Sequence, residues 1–240
     1  WVNISALSAR IFDASGQPVT DEVMVADQVT TIDSVISIVE LTSGKLVLSF
    51  STVAGDIGFL STDASLNAIE GPTLANTTIA GGQTYTTSFA LPNGGFGVAW
   101  HVQGQDAPGY DIFFRLFSAS GVATTGEIRA NAVAVGDQFH PTAAVGSDGN
   151  FMIGWDTGDR VVYGRIFDES GNPLTQDIRI STQSWPNVVR ETDSSIAALE
   201  NGYFVASIPY ANLGLRGQVI APNGELLGSD FQISANTVVG

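Results

Sequence analysis

No cysteine occurs among the 240 residues. That removes disulfides, thiolate nucleophiles and zinc–thiolate sites together, although it does not settle the compartment. Positive charge is scarce. Only 9 Lys and Arg stand against 24 Asp and Glu, a formal net charge of −15 at pH 7. A field of that sign repels phosphate backbones and anionic membrane surfaces, so no nucleic-acid partner is expected. No apolar run approaches the ~20 residues of a membrane helix, so no membrane insertion is expected either. No window carries an apolar stripe of 3.6-residue period. There is no starting Met and no signal peptide. Trp1 opens directly into patterned sequence, which reads as part of a longer polypeptide. Catalytic signatures are missing as well. No Gly-x-Ser-x-Gly elbow, His-Glu-x-x-His pair or Gly-rich phosphate loop accompanies the only two histidines, His101 and His140.

What is present is a repeat. Four anchors share the pattern of a glycine, an apolar alternation and a bulky end: "GKLVLSF" to Phe50, "GGFGVAW" to Trp100, "GNFMIGW" to Trp155 and "GYFVASI" to Ile208. They are spaced 50, 55 and 53 residues apart. Each is followed by a second segment, such as "FRLFSASGVA" around Arg115 or "GRIFDESGNPL" around Arg165, and by a third, such as "EIRAN" or "DIRIS". A fourth segment precedes each anchor, as in "TTSFALPNG" and "PTAAVGSDG". All alternate apolar and polar residues with the period of a β-strand. They are punctuated by Asn-Gly, Asp-Gly and Ser-Gly pairs suited to tight hairpins. Four strands, A to D, in about 50 residues describe a propeller blade.

The fold expected is therefore an all-β propeller of four-stranded antiparallel blades with five blades represented. Approximate blade segments are 1–31, 32–80, 81–135, 136–185 and 186–240. Trp1 stands nine residues before Arg10, as Phe50 stands nine before Phe59, so the chain opens with only the C and D strands of its first blade. Trp100, Trp155 and Phe50 share one register position and read as core between neighbouring sheets. The recurring Arg10, Arg115 and Arg165 read as braces on neighbouring strands.

These units resemble repeats of large secreted bacterial proteins that carry haemolysin-type (RTX) calcium-binding repeats elsewhere in their chains. The resemblance rests on "GGFGVAW", "GQDAPGYDIFFRLFSASG" and "VVYGRIFDESGNPL". It weakens over residues 50–80, where "DIGFLSTDASLNA" lacks both the Arg and the turn Gly. It implies type I secretion, an extracellular or cell-surface setting and adhesive or polymer-binding roles. It supplies no catalytic residue, and no "GGxGxD" run is present.

Function is then expected where the copies differ, in the B–C and D–A loops of one face. Trp185 and Arg190 lie in the longest D–A insertion, "STQSWPNVVRETD". With Tyr110, Arg160 and Tyr210 in B–C loops they form the expected ligand-binding set. Aromatic faces suit sugar C–H surfaces, and Arg can fork to an anionic group. Asp106, Asp111, Asp156 and Asp159 cluster in the same loops as candidate calcium ligands, and calcium is the only cofactor suggested. His101 is read at a strand edge and His140 in a D–A loop, without a partner to make either an acid–base group. The expectation is a non-catalytic extracellular binding or adhesion module for a glycan or an extracellular protein. One alternative is a polysaccharide-active enzyme, lyase or glycosidase, with carboxylates near the axis. The other is a structural module of an extracellular assembly.

Overall fold

The computed structural model describes residues 4–30, 35–104, 109–133, 136–181, 194–210 and 214–234. It is an all-β propeller. A two-stranded sheet, β1 (Ile4–Ala9) and β2 (Val23–Thr30), comes first. Four four-stranded sheets follow. They are β3 (Ser37–Glu40), β4 (Leu46–Ser51), β5 (Ile57–Thr62) and β6 (Ala68–Leu74); β7 (Gln83–Ala90), β8 (Phe96–Gln103), β9 (Tyr110–Phe117) and β10 (Ile128–Arg129); β11 (Gln138–Val145), β12 (Phe151–Thr157), β13 (Val162–Phe167) and β14 (Ile178–Arg179); and β15 (Ser195–Ala198), β16 (Phe204–Tyr210), β17 (Gly214–Ile220) and β18 (Leu226–Gln232). Each sheet is an antiparallel meander in chain order. The A–B hairpins turn on left-handed glycines, with φ of 89° at Gly94 and 85° at Gly149, a region that a side chain disfavours.

The anchors fill the gaps between sheets. Trp100 and Trp155 are 0% and 1% exposed, and Phe50 is 2% exposed. Trp100 packs among Val47, Ile57 and Phe59 of the preceding sheet, and Trp155 among Phe89, Ile112 and Phe114 of its own predecessor. A stack of Phe96 on Phe117, repeated as Phe151 on Phe167, closes the same gaps lower down. The half-sheet uses the same device, with Ala26 in one cluster with Leu48, Phe50 and Leu60.

The recurring arginines are braces. Arg115 Nε donates to Thr125 O (3.0 Å) and its Nη1 to Ala75 O of the preceding sheet (3.2 Å). Arg165 repeats both bonds, to Thr175 O (2.9 Å) and Ala130 O (3.3 Å). Arg10 makes the first of them, to Thr20 O at 2.9 Å. Acidic residues tie the sheets beside these braces. Asp177 accepts from the Ala132 and Val133 N–H groups at 3.0 Å, and Glu127 accepts from the Thr77 and Thr78 N–H groups. These ties let strands as short as β10 and β14 hold their places.

Successive first strands pack side by side, β3 on β7, β7 on β11 and β11 on β15. Among the described residues they border an open cavity at each end of the axis. One of about 540 Å³ is lined at the hairpin end by Leu91, Val145 and Leu199. The other, of about 460 Å³, opens at the end where the B–C and D–A loops lie.

Candidate active site

The second cavity is built by two β-bulges. The ladder between β7 and β8 slips between Thr84 and Thr87, and that between β11 and β12 slips between Phe139 and Thr142. The bulged residues are Tyr85 and His140, with left-handed φ of 51° and 50°. Such a conformation costs a non-glycine residue on the order of 1–3 kcal/mol and re-aims its side chain. Both line the cavity, and their ring centroids are 4.4 Å apart. His140 therefore belongs to a strand and not to a loop.

Behind them stand the residues that directly follow the two Trp anchors. His101 follows Trp100 in β8 and pairs with Thr84 across the ladder. It is 3% exposed. Its Nε2 lies 2.6 Å from Thr84 Oγ1, and its ring packs on Tyr85 (4.9 Å) and edge-on to Tyr110 (5.1 Å). Burial, helped by the nearby His140, pushes its pKa down to about 3, so His101 is neutral. Asp156 follows Trp155 in β12 and is 3% exposed. Its Oδ2 lies 3.7 Å from His140 Nδ1, an ion-pair separation. Burial raises its pKa, while His140 and Ser194 draw it back. One neutral imidazole, one reluctant carboxyl, a second histidine and a tyrosine thus converge from two neighbouring blades.

The raised Asp156 has a consequence for stability. The folded state holds the proton more tightly than the unfolded chain does. Its contribution is full in acid, below the ordinary carboxylate value of 3.8, and is lost as pH rises through the folded value. Asp156→Asn is therefore expected to melt higher than wild type at pH 7, with the gap closing toward pH 4. Melting curves across that range check it; an equal or lower melting point for the variant at pH 7 contradicts it.

The expected ligand-binding set is only partly placed. Tyr110 begins β9, half-buried, with its ring 4.9 Å from Phe139 in the wall behind the cavity. Arg160 sits in the β12–β13 turn at φ 59°, its N–H bonded to Thr157 O at 2.7 Å. Tyr210 ends β16 opposite Gly214. Trp185 and Arg190 lie outside the described residues.

Of the calcium candidates, Asp111, Asp156 and Asp159 lie among the described residues. Asp111 is a strand residue, 2% exposed, whose Oδ1 accepts from Asn131 Nδ2 at 2.7 Å. Asn131 Oδ1 accepts in turn from the Ile112 N–H at 2.9 Å. Asp156 faces His140, Asp159 is exposed on a turn, and Asp106 lies outside the described residues. Among the described residues no group of three or more His, Asp or Glu could hold a metal. The Asn131 amide thus joins the buried Asp111 carboxyl to the Ile112 N–H. Asn131→Leu is expected to cost about 2–3 kcal/mol by orphaning these groups, with no rescue by added calcium. Chemical denaturation checks it.

No family model matches the chain, and no curated protein matches it. Solved structures do. A protein of unknown function from Dyadobacter fermentans DSM 18053 superposes with a TM-score of 0.66 at 9% identity, over 98% of this chain and 74% of that one. The GH93 α-L-arabinofuranosidase of Fusarium graminearum, in complex with arabinobiose, gives 0.61 at 12% identity over 97% and 72%. The GH43 endo-arabinanase from Bacillus licheniformis gives 0.51 at 11% identity over 84% and 80%. At such identities the likeness establishes the fold class, a β-propeller. The repeats are propeller-type, while the RTX association finds no support in these comparisons.

One expectation is corrected here. The chain was read as a non-catalytic adhesion module, with an aromatic and Arg rim and no chemistry beneath it. The propellers it resembles include glycoside-cleaving enzymes, and its own axial cavity is backed by buried titratable groups. The reason for the error is physical. The bulges that turn Tyr85 and His140 into the cavity are not visible in a strand pattern, so each histidine looked isolated.

Proposed function

We propose that the chain is a polysaccharide-active enzyme whose site is the axial cavity at the B–C and D–A end. The observation that carries this reading is the His140–Asp156 pair, 3.7 Å apart, with His140 lining the cavity and Asp156 nearly buried behind it. A carboxyl at one imidazole nitrogen orients the ring and stabilises its protonated form, and so equips the other nitrogen for general acid–base work. Tyr85 gives the cavity an aromatic face of the kind that sugars favour, and His101, Tyr110 and Phe139 form a ring cluster packed behind it. The propeller glycosidases of similar fold lend further support. A polymeric substrate is met outside the cell, so an extracellular setting is part of the proposal.

The test is depolymerisation of a panel of plant and algal polysaccharides, read as new reducing ends. Wild type is expected to cleave at least one. Asp156→Asn is expected to lower kcat by about 10²-fold, with KM little changed and the acidic limb of the pH–rate profile displaced. A panel without cleavage, or an Asp156→Asn variant with the wild-type profile, removes the reading.

A further inference from the structure

We infer that the axial cavity cleaves its polymer by β-elimination and not by hydrolysis, and that the substrate is a polyuronate with esterified carboxyl groups. The inference rests on the enzyme reading above and deepens it.

Hydrolysis of a glycosidic bond takes two carboxyl groups facing the anomeric carbon, about 5–5.5 Å apart for retention and about 6.5–9.5 Å apart for inversion. Among the described residues that line the cavity, the titratable side chains are Tyr85 and His140, and none is a carboxylate. Asp156 stands behind His140, 3% exposed, where it can orient the imidazole but has no path to an anomeric carbon. The two lining groups are held together by bulges in different blades, with ring centroids 4.4 Å apart. Two backbone distortions at the same register of adjacent sheets thus bring a base and a weak acid to one point.

That pair suits elimination. His140 removes the C5 proton, and the C5–H electrons form the C4=C5 double bond. The C4–O4 bond breaks, its electron pair leaves on O4, and O4 takes the Tyr85 phenol proton. Transfer of the captured proton from His140 to Tyr85 across their contact restores both groups. The net change moves one proton from C5 to O4. Neither water nor an oxidant is consumed.

The charge pattern selects the substrate. Abstraction at C5 needs the adjacent carboxyl uncharged, either through a paired cation or through an ester. No Lys or Arg is found among the described lining residues, and a net charge of −15 repels a polyanion. An ester meets neither obstacle and makes the C5 proton more acidic. Thr87, Thr142 and Ser194 offer neutral hydroxyls beside the reacting pair.

The experiment uses the whole chain with three polymers: highly methyl-esterified polygalacturonate, the same polymer after de-esterification, and a neutral arabinan. Reducing ends and the ultraviolet-absorbing unsaturated uronate are measured together. The expected result is equal molar yields of both on the esterified polymer, at least about tenfold less on the de-esterified one, and none on arabinan. Tyr85→Phe is expected to lose about 10²-fold or more of that rate at an unchanged melting point. Reducing ends without unsaturated product overturn elimination while leaving the enzyme reading in place. Faster cleavage of the de-esterified polymer overturns the ester assignment. Inactivity on all three overturns this inference, and the wider panel then decides whether the enzyme reading survives it.

Discussion

His140→Asn is expected to slow polymer cleavage by about 10³-fold while the protein stays folded. The magnitude is that of removing a positioned acid–base group. Asparagine is the informative replacement because it tolerates the left-handed backbone that His140 adopts at φ 50°. An alanine there would mix backbone strain with lost chemistry. The contacts removed are the Tyr85 ring at 4.4 Å and the Asp156 carboxyl at 3.7 Å. The Tyr85 contact spans two blades, but the gap between those blades is filled separately by the apolar cluster around Trp155, which the substitution leaves intact. Turnover should therefore collapse with a melting point within a few degrees of wild type. A rate within threefold of wild type at equal stability means that the His140–Asp156 pair is not the acid–base centre.

Trp155→Ala and Trp100→Ala are each expected to destabilise the fold by about 3–5 kcal/mol, the cost of emptying a core site of a large aromatic. For a chain of 240 residues that corresponds to a loss on the order of 10 °C in melting temperature. Both indoles are fully enclosed between sheets, and each touches apolar groups from two blades. The void cannot close without moving a whole sheet, because the β8–β9 and β12–β13 ladders that carry the two anchors are continuous. Polymer binding per folded molecule should be unaffected, since the side chains point into the gaps between blades. Thermal and urea unfolding measure the first effect. A selective loss of binding at unchanged stability would assign these residues to a ligand surface instead.

The two variants also mark how far the sequence can be read. The anchors were legible because the copies of the repeat place a bulky residue at the same step of the same strand, and burial follows from that register. The Arg braces were legible for the same reason. The site was not, because its signal lies in departures from the repeat. Tyr85 and His140 stand where the second sheet's neighbour has Val35, and His101 and Asp156 stand where it has Ser51. An extra residue in a bulge then re-aims two of the four, and hydrophobic alternation does not register such a residue. Asp156 was read in or beside a B–C loop as a calcium candidate, and it is the penultimate residue of β12, facing His140. The partner of Asp111, Asn131, is 20 residues away, and strand alternation does not show such a pairing.

The most direct measurement of the central claim is a crystal structure of the His140→Asn variant with an uncleaved oligosaccharide of the polymer it acts on. The account predicts a sugar ring in the axial cavity of about 460 Å³, stacked near Tyr85 and within hydrogen-bond reach of residue 140. A second groove of about 470 Å³, lined by Asp137, Asp159, Tyr163 and Asp177, lies toward the outer strands. Sugar bound in that groove with the axial cavity holding none would contradict the account.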